Sequence, residues 1–153
     1  MSDAVTRQEQ ILELTVEREF AHPPEAVFEA WTQTPALRQW MGPGEITAPD
    51  SEIEPCTGGQ LTIPMVHPDG TVVTARGTIS EFVPNRKLRF SWAWDQEDGA
   101  SGQQMEITLD FVPTGNGTKL TLYQTNFIDK EARDKHEHGW TGCYDKLEKY
   151  LVI

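Results

Sequence analysis

The sequence predicts an α+β fold: a seven-stranded antiparallel sheet wrapped around a long C-terminal helix, with two short helices after the first strand. Three observations lead there. Alternating apolar and polar runs recur between Leu12 and Thr125, mostly joined by turns too short for the crossovers that parallel strands need. A proline-free segment from Lys130 to Val152 then places its apolar residues on one helical face. A one-sided sheet and an amphipathic helix each lack an apolar cover, and each supplies the other's.

The first strand is set by Leu12, Leu14, Val16 and Phe20 on one face, with Glu13, Thr15, Glu17 and Glu19 opposite. Pro23-Pro24 ends it and suits a helix start, after which Val27, Ala30 and Trp31 recur at helical spacing. Thr34-Pro35 repeats the signal, with Thr34 as a cap and Leu37 and Trp40 or Met41 facing inward, until Gly42-Pro43-Gly44 stops the second helix. Strands are then expected over Ile46–Glu54, Leu61–Val66, Thr71–Val83, Leu88–Trp94, Met105–Val112 and Thr118–Thr125. Their connections carry turn residues: Gly58-Gly59, Pro68-Asp69-Gly70, Pro84-Asn85, a loose Asp95–Gly102 loop, and the hairpin signal Gly115-Asn116-Gly117.

Asp129 can cap the last helix, which would run about 34 Å at ~1.5 Å per residue. Ala132, His136, Trp140, Cys143, Tyr144, Leu147 and Leu151 share one face, while His138 and Gly142 point away. Gly139 flanks the stripe, where a missing side chain would bring the helix close to the sheet; Gly142 on the solvent side has no such reason. Residues 1–9 read as a flexible tail, and residues 10–153 as one domain.

With 24 acidic against 13 basic side chains the net charge is −11, which disfavours nucleic acid and electrostatic membrane docking as partners. No signal peptide and no long apolar span is visible, so a soluble cytoplasmic protein is expected. Cys56 and Cys143 have no metal-ligand or CxxC spacing, and free thiols are expected. His136-Glu137-His138 lacks the spacing of a zinc helix, so no metal or other cofactor is expected. P-loop, dinucleotide and nucleophile-elbow motifs do not occur.

The run Arg18-Glu19-Phe20-Ala21-His22-Pro23-Pro24-Glu25-Ala26-Val27-Phe28-Glu29-Ala30-Trp31 resembles the bacterial family named after the activator of the 90-kDa heat-shock protein ATPase. Leu37 with Trp40-Met41-Gly42-Pro43, Glu52-Ile53-Glu54-Pro55 with Gly58-Gly59, Gly77 with Glu81-Phe82-Val83-Pro84, and His138-Gly139-Trp140 extend the resemblance across the chain in order. It implies the START-like helix-grip fold of the superfamily that includes the birch-pollen allergen, whose members enclose a cavity between sheet and C-terminal helix. Lipid carriers, hormone receptors, aromatic cyclases and hydrolases share that superfamily, so the resemblance implies a pocket and leaves the chemistry open. The eukaryotic activator has a further N-terminal domain for which 153 residues leave no room, so chaperone activation is not expected to carry over.

Candidate pocket residues follow from the inner faces. Leu88, Phe90, Trp92 and Trp94 share one face of a strand; Trp31, Trp40, Met65, Met105, Phe111 and Trp140 join them in an aromatic and sulfur-bearing interior. For any one of them core filling is the first expectation, and some are expected to line a ligand cavity. Arg18 falls on the apolar face of the first strand and must pair or reach water, with Glu52 and Glu54 as expected partners and a ligand, or a strand-end bulge that turns Arg18 outward, as the alternatives. His136, beside Glu137 and Tyr144, is either a structural histidine or a polar group at a pocket mouth. The expected function is binding of an apolar or aromatic small molecule by these residues. The alternatives are a cyclase, dehydratase or hydrolase using the same pocket, and a co-chaperone-like or stress-response interaction module. Exposed strand edges leave a homodimer open.

Overall fold

The computed structural model describes residues 12–96 and 102–152. The expected flexible tail at residues 1–9 and most of the Asp95–Gly102 loop lie outside the described residues. The strands are β1 (Glu13–Phe20), β2 (Glu52–Ile53), β3 (Gln60–Val66), β4 (Val72–Val83), β5 (Lys87–Trp94), β6 (Met105–Thr114) and β7 (Gly117–Thr125). The helices are α1 (Pro24–Thr32), α2 (Thr34–Trp40) and α3 (Lys130–Leu151). The seven strands form one antiparallel sheet in the order β1-β7-β6-β5-β4-β3-β2, as the alternation and short turns predict.

Alternation decides which face is buried. Leu61, Ile63 and Met65 of β3, Leu88, Phe90 and Trp92 of β5, and Met105, Ile107, Leu109 and Phe111 of β6 all turn inward. The order places β1 at one edge beside β7, so the first strand closes the sheet against the last. α3 lies across the inner face, packed against β1, α1 and α2, and buries Trp140, Cys143, Tyr144 and Leu147. Its N-terminus is capped by Asp129, whose carboxylate accepts from the Ala132 N–H at 2.8 Å. Among the described residues, no helix is long and apolar enough to cross a membrane.

Four local expectations are corrected. Ile46–Glu54 is not a continuous strand: one bridge joins Thr47 to Val66, and pairing resumes only at Glu52–Ile53. Pro49 lacks the N–H a ladder requires, and Ala48–Ser51 folds into a turn closed by the Ser51 N–H and hydroxyl on the Ala48 carbonyl. Thr34 does not cap α2. It is the first helical residue, and its hydroxyl both donates to the Ile53 carbonyl (3.2 Å) and accepts the Ile53 N–H (3.1 Å), tying α2 to β2.

Arg18 meets neither Glu52 nor Glu54, because β1 and β2 occupy opposite edges of the sheet. Its guanidinium instead bonds Asp145 of α3 at 2.9 Å and lies over the Tyr144 ring. Glu52 stands 3.8 Å from Arg38, and Glu54 accepts the Gln60 N–H.

The two helical glycines exchange roles. A Cβ on Gly142 would stand 2.9 Å from Cβ of Pro43, so this glycine admits the loop after α2; a Cβ on Gly139 would meet only Pro43 Cγ at 3.9 Å. Alanine normally gains about 1 kcal/mol over glycine inside a helix. Gly139→Ala should realise most of that gain. Gly142→Ala should lose about 1–2 kcal/mol through overpacking. Thermal or urea denaturation of the two variants checks the opposite signs.

Candidate functional site

A cavity of about 460 Å³, open to solvent, lies between the middle of α3 and the β3–β5 part of the sheet. The sheet contributes Met65, Val73, Trp92 and Trp94. Trp92 and Trp94 share a face by strand alternation, and Met65 and Val73 are direct cross-strand partners. The helix contributes Lys135, His136, Gly139, Trp140 and Cys143, residues one turn apart on a single side. Pro43 and Ile46 wall it from the loop after α2, and His67 from the end of β3. That loop turns on Gly42 and Gly44, both at positive φ, and is held to α3 by Lys146, whose ammonium donates to the Ile46 carbonyl at 2.6 Å.

All five tryptophans of the chain form one continuous run. Trp40 meets Trp31 edge-on at 4.7 Å between centroids, Trp31 meets Trp140 at 6.0 Å, Trp140 meets Trp92 at 5.2 Å, and Trp92 meets Trp94 edge-on at 5.5 Å. The Trp140 N–H donates to Gln124 Oε1 at 2.8 Å, and the Gln124 amide reaches the Met105 sulfur. Gln124 is fully buried, a polar residue on the inner face of β7 that the sequence reading missed. Its even-numbered register with Leu120 and Leu122 was the available signal.

His136 ends the run with both ring nitrogens engaged. Trp94 Nε1–H donates to Nε2 at 2.9 Å, and Nδ1 lies 2.8 Å from the Ala132 carbonyl, so Nδ1 carries the proton and the ring is neutral. Burial lowers its pKa, opposed by the hydrogen bond to Ala132. The Cys143 thiol is pushed up to about 12 by burial, which keeps it protonated and unreactive. Glu137 is bound to Arg133 at 3.0 Å. Among the described residues, no group of three or more His, Cys, Asp or Glu side chains is arranged to hold a metal ion.

Of the residues singled out from sequence, Met65, Trp92, Trp94, His136 and Trp140 come together around the cavity. The others lie elsewhere. Trp40 donates to the Ala30 carbonyl beneath Trp31, Phe111 packs edge-on to Phe28, Phe90 flanks Trp92, and Met105 lies under Gln124. Tyr144 donates to the Val16 carbonyl beside Arg18, toward the β1 edge. Pro43, Ile46, His67, Val73, Lys135, Gly139 and Cys143 line the cavity without having been candidates. His67 follows Met65 by two residues on the same face, the one sequence signal that could have placed it.

Two predictions follow from this geometry. Trp140→Ala removes the ring between Trp31 and Trp92 and strands the Gln124 carbonyl; chemical denaturation should show a loss of about 3–5 kcal/mol. The folded state holds His136 with a pKa below the 6.5 of the unfolded chain, so the unfolded state takes up more protons as the pH falls. The contribution is therefore intact above pH 6.5 and lost as the pH falls below it through the lowered folded value. Melting curves between pH 7.5 and 5 should show this loss in the wild-type chain and a flatter profile in His136→Gln.

Solved structures share this architecture. An AHSA1 protein from Silicibacter pomeroyi is similar at 29% identity with a TM-score of 0.83, covering 92% of this chain and 97% of that one. A protein from Mesorhizobium loti is similar at 27% identity and TM-score 0.73, covering 92% and 96%. One from Chromobacterium violaceum, at 20% identity, TM-score 0.81 and coverage of 93% and 99%, shares the fold. Among curated proteins, none matches this chain. Residues 21–152 match the family model described as Activator of Hsp90 ATPase homolog 1-like protein, and the chain belongs to that family.

Proposed function

We propose that the protein binds an apolar or aromatic small molecule in the cavity between α3 and the sheet. The observation that carries the reading is a solvent-open space of about 460 Å³ walled by three tryptophans and a methionine. That volume falls in the range of small-molecule pockets, and indole faces with a thioether suit flat apolar guests. Two wall groups with acid–base potential are committed, His136 through hydrogen bonds at both ring nitrogens and Cys143 through burial that keeps its thiol protonated, which favours holding over turnover at those positions. The family's description refers to activation of the Hsp90 ATPase; the cavity, not that description, supports the reading. The large exposed apolar side chains are spread over β4, β6, β7, the β7–α3 connection and the residue after α3, which gives a docking surface no comparable support.

The test uses N-phenyl-1-naphthylamine, an apolar aromatic fluorophore, titrated into the protein. Emission should rise to saturation at one probe per chain, with quenching of the clustered tryptophans. Gly139→Leu, which fills the cavity from a position with open space, should weaken binding at least tenfold with the circular dichroism unchanged. A wild-type chain that takes up neither this probe nor other apolar aromatics would overturn the reading.

A further inference from the structure

The cavity takes its walls from α3, from the β3–β5 region and, at Pro43 and Ile46, from the connection after α2. That connection is a strap between two anchors. At one end the Cys143 thiol lies against the Gly42 carbonyl. At the other, Thr47 and Val66 exchange two backbone hydrogen bonds, 3.1 and 2.7 Å long. Between the anchors Gly44 and Glu45 are exposed, and the Ile46 N–H bonds back to the Pro43 carbonyl inside the strap itself. Pro43 rests on α3 at Gly142 by contact alone. Among the described residues, the hydrogen bond that ties residues 43–46 to another element is the one from Lys146 of α3 to the Ile46 carbonyl, at 2.6 Å.

The same carbonyl explains the glycine at position 42. A Cβ there would stand 2.5 Å from the Ile46 oxygen, and φ is +105°, so the strap curls shut only over a bare Cα. Gly44, at φ +58°, is a second position of loose backbone restraint. Lys146 and Gly42 thus act on one atom, the Ile46 oxygen, from opposite directions.

We infer that residues 43–46 form a hinged strap, the adjustable wall of the cavity, latched shut by the Lys146 ammonium on the Ile46 carbonyl. The inference rests on the binding reading above and names what controls that site. A charged donor on a carbonyl is stronger than a neutral hydrogen bond, so one contact can hold a short segment that has no ladder of its own. Without it, the strap is held at its ends and can swing while α3 and the sheet stay in place.

The test is amide hydrogen exchange, followed by NMR, on the ligand-free wild type, Lys146→Met and Gly42→Ala. Lys146→Met keeps an apolar stem and removes the donor, whereas Gly42→Ala displaces the acceptor. In both, the Ile46 amide should exchange about tenfold faster or more, while the Thr47 and Val66 amides keep their wild-type rates. Equal acceleration of all three in Lys146→Met would mean a general loss of stability, and an unchanged Ile46 amide would mean that the strap stays shut without Lys146. Either result overturns the inference. Stopped-flow release of N-phenyl-1-naphthylamine connects the strap to a guest: it should be roughly fivefold faster from Lys146→Met than from wild type. Equal release rates would overturn the strap's role as a wall. A wild-type chain that takes up no probe would overturn the binding reading, and the exchange rates would still decide the latch.

Discussion

The seat of Trp140 on the sheet is the constraint on which the rest depends. Its ring touches Trp31 of α1 on one side and Trp92 of β5 on the other, and its N–H is bonded to Gln124 of β7. One side chain of α3 is thereby tied to a helix and to two different strands. The amide of Gln124 is a polar group inside an apolar interior, and it is tolerated because both its ends are occupied, by the indole and by the Met105 sulfur. A hydrogen bond has direction where an apolar contact does not, so this pair sets the rotation of α3 as well as its depth. With that rotation set, His136 and Gly139 lie on the cavity side.

Toward its C-terminal end α3 is held by a second device. Tyr144 donates to the backbone of β1, and Arg18, bonded to Asp145, covers its ring. The ion pair is more than half exposed on its acidic side and is worth about 1 kcal/mol or less. The buried phenol and its neighbours Phe20, Cys143 and Leu147 contribute more through the area they remove from water. The helix is thus closed down on the β1 edge and stands away at β3–β5, where the glycine and the loop after α2 meet it. A wedge-shaped space at one end follows from tight packing at the other.

The sheet and α3 were legible because their periods are local properties of the sequence. Leu88, Phe90, Trp92 and Trp94 declare a strand face without reference to any other part of the chain, and so does the Trp140-Tyr144-Leu147 stripe. What failed was long-range. Alternation shows that Arg18 faces inward but not which element lies there, and the strand order that separates it from Glu52 is not written in either strand. A helical projection puts Gly142 opposite the stripe, yet the side away from the sheet is where Pro43 arrives. The cavity is subject to the same limit. Its aromatic wall could be read from β5 and α3, whereas Pro43, Ile46 and Val73 join it only through the loop path and the β3–β4 register.

A space of this size has a cost that depends on whether solvent reaches it. A dry, sealed void of about 460 Å³ would cost on the order of 10 kcal/mol, comparable with the whole net stability of a small domain. The fold avoids that cost because the space is open to solvent. Water against Trp92, Trp94, Trp140 and Met65 has few polar atoms to bond, since the indole N–H of Trp94 and that of Trp140 are already spent inside the protein. Its release would favour an apolar guest if one bound there, and the wall is already formed: its tryptophans are fixed by one another, its histidine by two hydrogen bonds, and its loop by Pro43 on Gly142 and by Lys146. Little order would be left to lose if a guest bound there. The helix glycines, each worth about 1 kcal/mol of helix stability against alanine, are accordingly used in different ways: Gly142 admits the loop that forms the wall, and Gly139 leaves the space behind it.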